Sequence, residues 1–257
     1  MDVHVACDNA CFGWNCCHLP VSSSLAFLNM KRFFIAASFV LLTISLCAQQ
    51  KQSFIGFQAG TSIPVGKYHL KELPDGGFAM PGFSASLEGT WFFLPWLGIG
   101  ANAGINLHPV DAGALGEAKL KDSDFLQELT IRSDPYLSLS MYSGLYSQFP
   151  VAKNLKFTAK ALGGIFYAQT PYQLYKAEYY MIGKNWYDIT SAGDYEGSFL
   201  AGAGLRYDLN DCIGFALNSE FTYNQCEFDF ITLDGNVRTE NKVITFINAA
   251  LGLVIKL

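Results

Sequence analysis

The chain has 257 residues, 17 basic and 22 acidic side chains, a formal net charge of −5, and an aromatic share (15%) that matches the charged share (15%). This is sparse in charge and rich in rings for a water-soluble domain, and the acidic balance argues against nucleic acid as a partner. No run of eighteen or more apolar residues occurs after residue 48, which excludes a membrane-spanning helix.

A secretory signal sits inside the chain: Met30-Lys31-Arg32 is the charged end, Phe33 to Leu46 the apolar stretch, and Ala48 the small residue before a cut ahead of Gln49. Because a signal normally opens its chain, residues 1–29 read as a misannotated extension with Met30 the true start, 30–48 as signal peptide, and 50–257 as one mature domain. Cys7, Cys11, Cys16, Cys17 and His18 fall in the extension and lack two separated C-x-x-C pairs, so no metal site is expected there. Cys47 hints at a lipoprotein signal, but Leu46 stands where a small residue is needed, and cleavage after Ala48 is preferred. Removing Asp2, Asp8, Lys31 and Arg32 leaves fifteen basic and twenty acidic residues, so the mature charge stays at −5.

The mature chain is a succession of period-two segments, each able to form a strand with two different faces. The first, about Phe54 to Ile63, sets Ile55, Phe57, Ala59 and Ile63 against Gly56, Gln58, Gly60 and Ser62. The second, Phe83 to Phe93, sets Leu87 and Trp91 against Ser84, Ser86, Glu88 and Thr90. In the third, Leu97, Ile99, Ala101, Ala103, Ile105 and Leu107 alternate with Gly98, Gly100, Asn102, Gly104, Asn106 and His108. Further segments run from about Tyr136 to Tyr146, Lys156 to Tyr167, Ser198 to Asp208, Ile213 to Asn224, and Val243 to Leu257. Each suits a tilted membrane strand of about 9 to 11 residues.

Connections alternate in length: 94–96, 149–154 and 209–211 are short, whereas 64–82, 108–135, 168–197 and 231–241 are long. Outer-membrane barrels have short periplasmic turns and longer external loops. A soluble barrel also alternates, but would turn a charged face to water; here the second face is mostly Gly, Ser, Asn, Thr and Ala. The bulky face therefore belongs to lipid, with Trp91, Phe93 and Tyr207 toward one interface and Phe83, Tyr167, Phe199 and Tyr223 toward the other. The expectation is an all-β protein, an eight-stranded antiparallel transmembrane β-barrel of the cell outer membrane, with the last strand closing on the first.

The sequence resembles the outer-membrane β-barrel proteins of Bacteroidota, the PorT-like small barrels. The resemblance rests on Gly60-Thr61-Ser62-Ile63-Pro64-Val65-Gly66-Lys67-Tyr68, on Trp96-Leu97-Gly98-Ile99-Gly100, and on the alternating final strand, and it covers the mature chain. It implies the barrel fold, outer-membrane lipid as surroundings, and passage through the barrel-assembly machinery, although the chain ends on Leu257 instead of the usual aromatic.

Inside the expected lumen lie Glu88, Glu220 and Asp208 with Lys156, Lys160 and Arg206, and ion pairs are expected because unpaired charges are costly there. Glu88, Lys160 and Glu220 should sit near mid-height and the other three near the periplasmic end. His108, with Asp111, Ser138 and Ser140 as neighbours across the wall, is the one base a lipid hydrolase would use, but no spacing secures contact with a nucleophile. Tyr172, Tyr175, Tyr179, Tyr180, Trp186, Tyr187 and Tyr195 crowd the third long loop, either as an exposed binding surface or as a packed lid on the barrel. Residues 116–129 could hold a short helix. Cys212 and Cys226, fourteen residues apart on one strand, would be about 45 Å apart and should be free thiols. No phosphate loop, EF-hand or zinc motif appears after residue 48, and no cofactor is expected. The functional expectation is a non-enzymatic barrel presenting loops for adhesion, surface contact or envelope organisation to an extracellular or envelope partner. The alternatives are a lipid- or lipopolysaccharide-modifying enzyme and, from the resemblance, an accessory factor for protein secretion.

Overall fold

The structure is a computed structural model and describes residues 53–180, 183–231 and 237–257. The signal segment and the four leader cysteines lie outside the described residues. Among the described residues, eleven strands are found: β1 (Phe54–Pro64), β2 (Gly82–Phe92), β3 (Leu97–His108), β4 (Leu126–Ser133), β5 (Tyr136–Ala152), β6 (Leu155–Gln169), β7 (Gln173–Tyr179), β8 (Gly183–Ile189), β9 (Gly193–Asp208), β10 (Ile213–Ile231) and β11 (Val237–Lys256). One helix, α1 (Ala112–Asp122), lies between β3 and β4.

Eight of the strands close into an antiparallel barrel in the order β1-β11-β10-β9-β6-β5-β3-β2. The seam is continuous: β1 pairs with β11 from Phe54↔Lys256 to Pro64↔Phe246 and with β2 from Phe54↔Thr90 to Ser62↔Gly82. Odd-numbered side chains point out and even-numbered ones in, as the alternation requires. Phe57, Leu87, Met141, Ile165 and Leu251 are all more than half exposed on the outside, while Gln58, Ser62, Asn102, Asn106, Asn218 and Thr222 are buried inside. An apolar belt around a polar interior is the surface of a transmembrane barrel. The short turns after β2, β5 and β9 mark one end of the barrel and the long connections the other.

Several strands are longer than their alternation indicated. β5 runs on to Ala152 and β6 begins at Leu155, so the expected 149–154 loop shrinks to a tight turn with a register shift between Pro150 and Ala152. β10 and β11 stay paired out to Ile231↔Val237, well beyond the end of the β9–β10 pairing at Tyr223↔Phe199. The helix expected within 116–129 instead occupies Ala112–Asp122, and the rest of that stretch enters strand β4. Asp111 starts the helix by accepting a hydrogen bond from the Ala114 N–H (3.0 Å).

The lumen is also less uniformly small than the sequence pattern implied. Phe54, Phe92, Tyr142, Tyr146, Leu162, Leu200, Ala216 and Val254 point inward and form an apolar cluster. Their bulk is offset by glycines on neighbouring strands. A Cβ on the inward Gly164 would run into the Met141 carbonyl and the Tyr142 backbone, whereas one on the outward Gly163 would meet nothing within 4 Å. Gly164→Val should therefore destabilise the barrel by about 1–3 kcal/mol, while Gly163→Ala leaves it unchanged. Urea titration of the refolded protein in lipid vesicles, read by heat-modifiable gel mobility, measures both; equal effects would contradict the assigned faces.

Candidate functional site

Two regions concentrate polar or aromatic side chains: the lumen and the cap at the long-loop end. In the lumen, register brings together residues far apart in sequence. Lys160 on β6 and Glu220 on β10 both face Gly202 on β9, and Glu88 on β2 faces Gly56 on β1. The missing side chains make room: an added Cβ on Gly202 would lie 3.0 Å from Lys160 Cε, and one on Gly56 3.2 Å from Glu88 Cγ. The Lys160 ammonium donates to Glu88 Oε2 at 2.8 Å and lies 2.6 Å from Glu220 Oε1. All three side chains are buried.

The second group sits toward the short-turn end and centres on Asp208. Its carboxylate receives Lys156 Nζ at 3.3 Å, Lys256 Nζ at 3.1 Å and Arg206 Nε at 3.5 Å. Arg206 is 1% exposed; its Nη2 donates to Gln148 Oε1 (2.7 Å), and its guanidinium lies 4.6 Å over the Phe54 ring. Lys256 and Gln148 were missed by sequence reasoning. Both are even-numbered, so the inward phase of β11 and β5 would have found them had β5 been carried past Tyr146. Two interior cavities, one beside Lys160 and Arg206 and one beside Glu220 and Asn106, hold about 10 Å³ each, the space of about one water. The interior is thus filled with paired charge and packed rings.

His108 does point inward, but its partner differs from those anticipated. Its Nε2 is 2.8 Å from Ser62 Oγ on β1. Ser140 hydrogen-bonds the Gly104 carbonyl instead (3.4 Å). Both His108 and Ser62 are fully buried, and Tyr68 and Phe246 cover the imidazole with ring centroids at 5.2 and 5.3 Å. Among the described residues, nothing partners Nδ1, so no third group orients the ring as a catalytic base requires. Asp111 is engaged elsewhere, 2.6 Å from Lys71, whose hydrogen bond holds the carboxyl below the usual aspartate range.

The sequence shows the cap as a tyrosine-rich loop, either an exposed surface or a packed lid, without its strands. It is a folded layer: β4, β7 and β8 form a separate three-stranded sheet, with α1 beside β4. Its core comprises Tyr68, Phe78, Val110, Leu115, Ile131, Tyr136, Tyr175, Phe228 and Phe246 among others. Tyr175 is 1% exposed and stacks flat on Tyr187, with centroids at 4.8 Å and rings 3° from parallel. Lys119 covers it from α1 at 4.6 Å, and burial pushes its phenol well up. The seven aromatic residues therefore separate into two sets. Tyr175 and Tyr187 pack inward, with Tyr179 half-buried; Tyr172, Tyr180, Trp186 and Tyr195 are exposed. Tyr195 lies on β9 against Tyr167, with centroids at 4.6 Å. Cys212 is exposed at the β9–β10 turn and Cys226 is buried on β10; both are free.

Lys160→Met would leave two buried carboxylates without their cation and should cost about 3–5 kcal/mol. Combining it with Glu88→Gln and Glu220→Gln should recover most of that loss. Urea midpoints of the refolded single and triple variants check this, and a single variant as stable as the parent would contradict the ion-pair geometry.

No known family model and no characterised protein matches the sequence. Among solved structures, the chain is similar to Neisserial surface protein A (8% identity, 80% of this chain and 97% of that one, TM-score 0.39). It is also similar to Ail, the attachment invasion locus protein of Yersinia pestis (13%, 80% and 97%, TM-score 0.41), and to the outer membrane protein OprG of Pseudomonas aeruginosa (12%, 80% and 97%, TM-score 0.41).

Proposed function

We propose that this chain is a non-enzymatic outer-membrane barrel whose folded external cap is a contact surface for an extracellular or envelope partner. The observation that carries this reading is the division of labour among the cap aromatics. Tyr175 and Tyr187 hold the cap together, while Tyr172 and Tyr180 at the two ends of β7 and Trp186 on β8 remain exposed. Exposed Tyr and Trp on a rigid support are favourable anchors for a partner, since few rotamers are lost on binding. The sealed His108–Ser62 pair weighs against a lipid hydrolase, which needs its nucleophile open to substrate. The PorT-like reading, with a role in protein secretion, rests on the sequence resemblance; loss of secreted proteins on gene deletion would favour it.

The test exploits the register. Gln169 faces Gly193 across β6 and β9, so residues 172–190 can be replaced by a short Gly-Ser turn without shifting the barrel. Cells carrying this variant should keep a heat-modifiable barrel in the outer membrane and lose attachment to surfaces and to other cells. Unchanged attachment would contradict the proposal. So would fatty-acid release from lipid that disappears on His108→Ala.

A further inference from the structure

The two edges of the cap sheet are treated differently. β4 carries a bulge, a register shift between Leu126 and Glu128 in its pairing with β7, and has α1 packed beside it. These are the usual means by which proteins block a strand edge. β8 has neither. It pairs with β7 without a break from Gln173↔Ile189 to Tyr179↔Gly183, and among the described residues no strand pairs with its other side. It contains no proline, and its side chains are mostly exposed.

The face of β8 is equally specific. Tyr187 and Ile189 turn toward the cap core, which fixes the strand. Lys184, Trp186 and Asp188 turn outward, each held by β7 or its approach. Lys184 lies 3.6 Å from Glu178, Lys176 sits 5.4 Å over the Trp186 ring, and the Tyr172 hydroxyl donates to Asp188 Oδ2 at 3.2 Å. The edge therefore offers, in order, a cation, a flat ring and an anion, beside a row of backbone groups that no described strand pairs.

We propose that the free edge of β8 docks an extended polypeptide segment of the partner as a fourth, antiparallel strand. Charge complementarity sets its pattern: a basic residue opposite Asp188, an apolar one opposite Trp186 and an acidic one opposite Lys184. Backbone hydrogen bonds supply the attachment and the alternate side chains the selectivity. This rests on the reading of the cap as the contact surface and adds the partner's chemistry to it.

The probe is the synthetic peptide TKTVTET, titrated by calorimetry into the purified full-length mature protein in detergent micelles. Two further peptides carry the same side chains but are N-methylated, one on its threonines and one on the remaining three residues. Only one of the two sets of amides can face β8, so one methylated peptide should bind as the parent does and the other should not bind. Trp186→Ala should weaken the parent peptide about fivefold, the worth of one cross-strand pair. A parent peptide that is silent at about 1 mM overturns the proposal. Retention by both methylated peptides, meaning side-chain contact alone, or loss by both also overturns it, as does unchanged affinity with Trp186→Ala. If the peptide fails while the cap-replaced cells still lose attachment, the edge assignment falls and the contact surface stands; if attachment survives replacement, the surface itself is wrong.

Discussion

A backbone N–H or C=O in hydrocarbon has no water to turn to, and leaving one unpaired costs several kcal/mol. That constraint governs the whole molecule. It forces the β1–β11 seam, because a sheet with two open edges could not remain in the bilayer. Once closed, the sheet has one inside and one outside, and the side-chain alternation along each strand becomes a division between lipid and lumen. Every later feature, from the glycines beside the charges to the cap over the mouth, is fitted within that closed wall.

The lumen shows how much charge so narrow a space tolerates. Lys160 joins two carboxylates, and Asp208 joins three cations, so no carboxylate in these two groups stands alone. The long stems cross the barrel axis over Gly202 and Gly56, so pairing depends on backbone positions that carry no charge themselves. Burial of a paired charge is weak evidence for stability. What the network does supply is a filled cross-section on which the aromatic cap can rest, with Phe246 and Tyr68 closing over His108.

Much of the barrel was legible because period-two alternation is a local signal. The inward phase of Glu88, Lys160 and Glu220 follows directly from Ser-Leu-Glu, Thr-Ala-Lys and Asn-Ser-Glu beside their apolar neighbours. The ends of the strands were harder. β10 and β11 continue past Tyr223 into Asn224–Ile231 and Val237–Lys242, and along β10 the contrast between faces reverses there: Cys226, Phe228 and Phe230 turn in to the cap core while Gln225, Glu227 and Asp229 turn out. The cap was hidden for a related reason. Strands β4, β7 and β8 are only seven or eight residues long and carry charges on one face, so Leu126–Ser133 and Gly183–Ile189 look like loop sequence until pairing reveals them. His108 was placed correctly inside, but its partner Ser62 lies 46 residues away on β1, and only the register across β2, where Gly82 stands between them without a side chain, brings it near.

Along the barrel strands, odd-numbered side chains meet lipid and even-numbered ones do not. Nitroxide labels placed singly at positions 98 to 106 of β3, in protein reconstituted into vesicles, measure it through collision with oxygen, which concentrates in the hydrocarbon. Oxygen accessibility should be high at Ile99, Ala101, Ala103 and Ile105 and low at Gly98, Asn102, Gly104 and Asn106. The opposite phase, or no alternation along the strand, would contradict it.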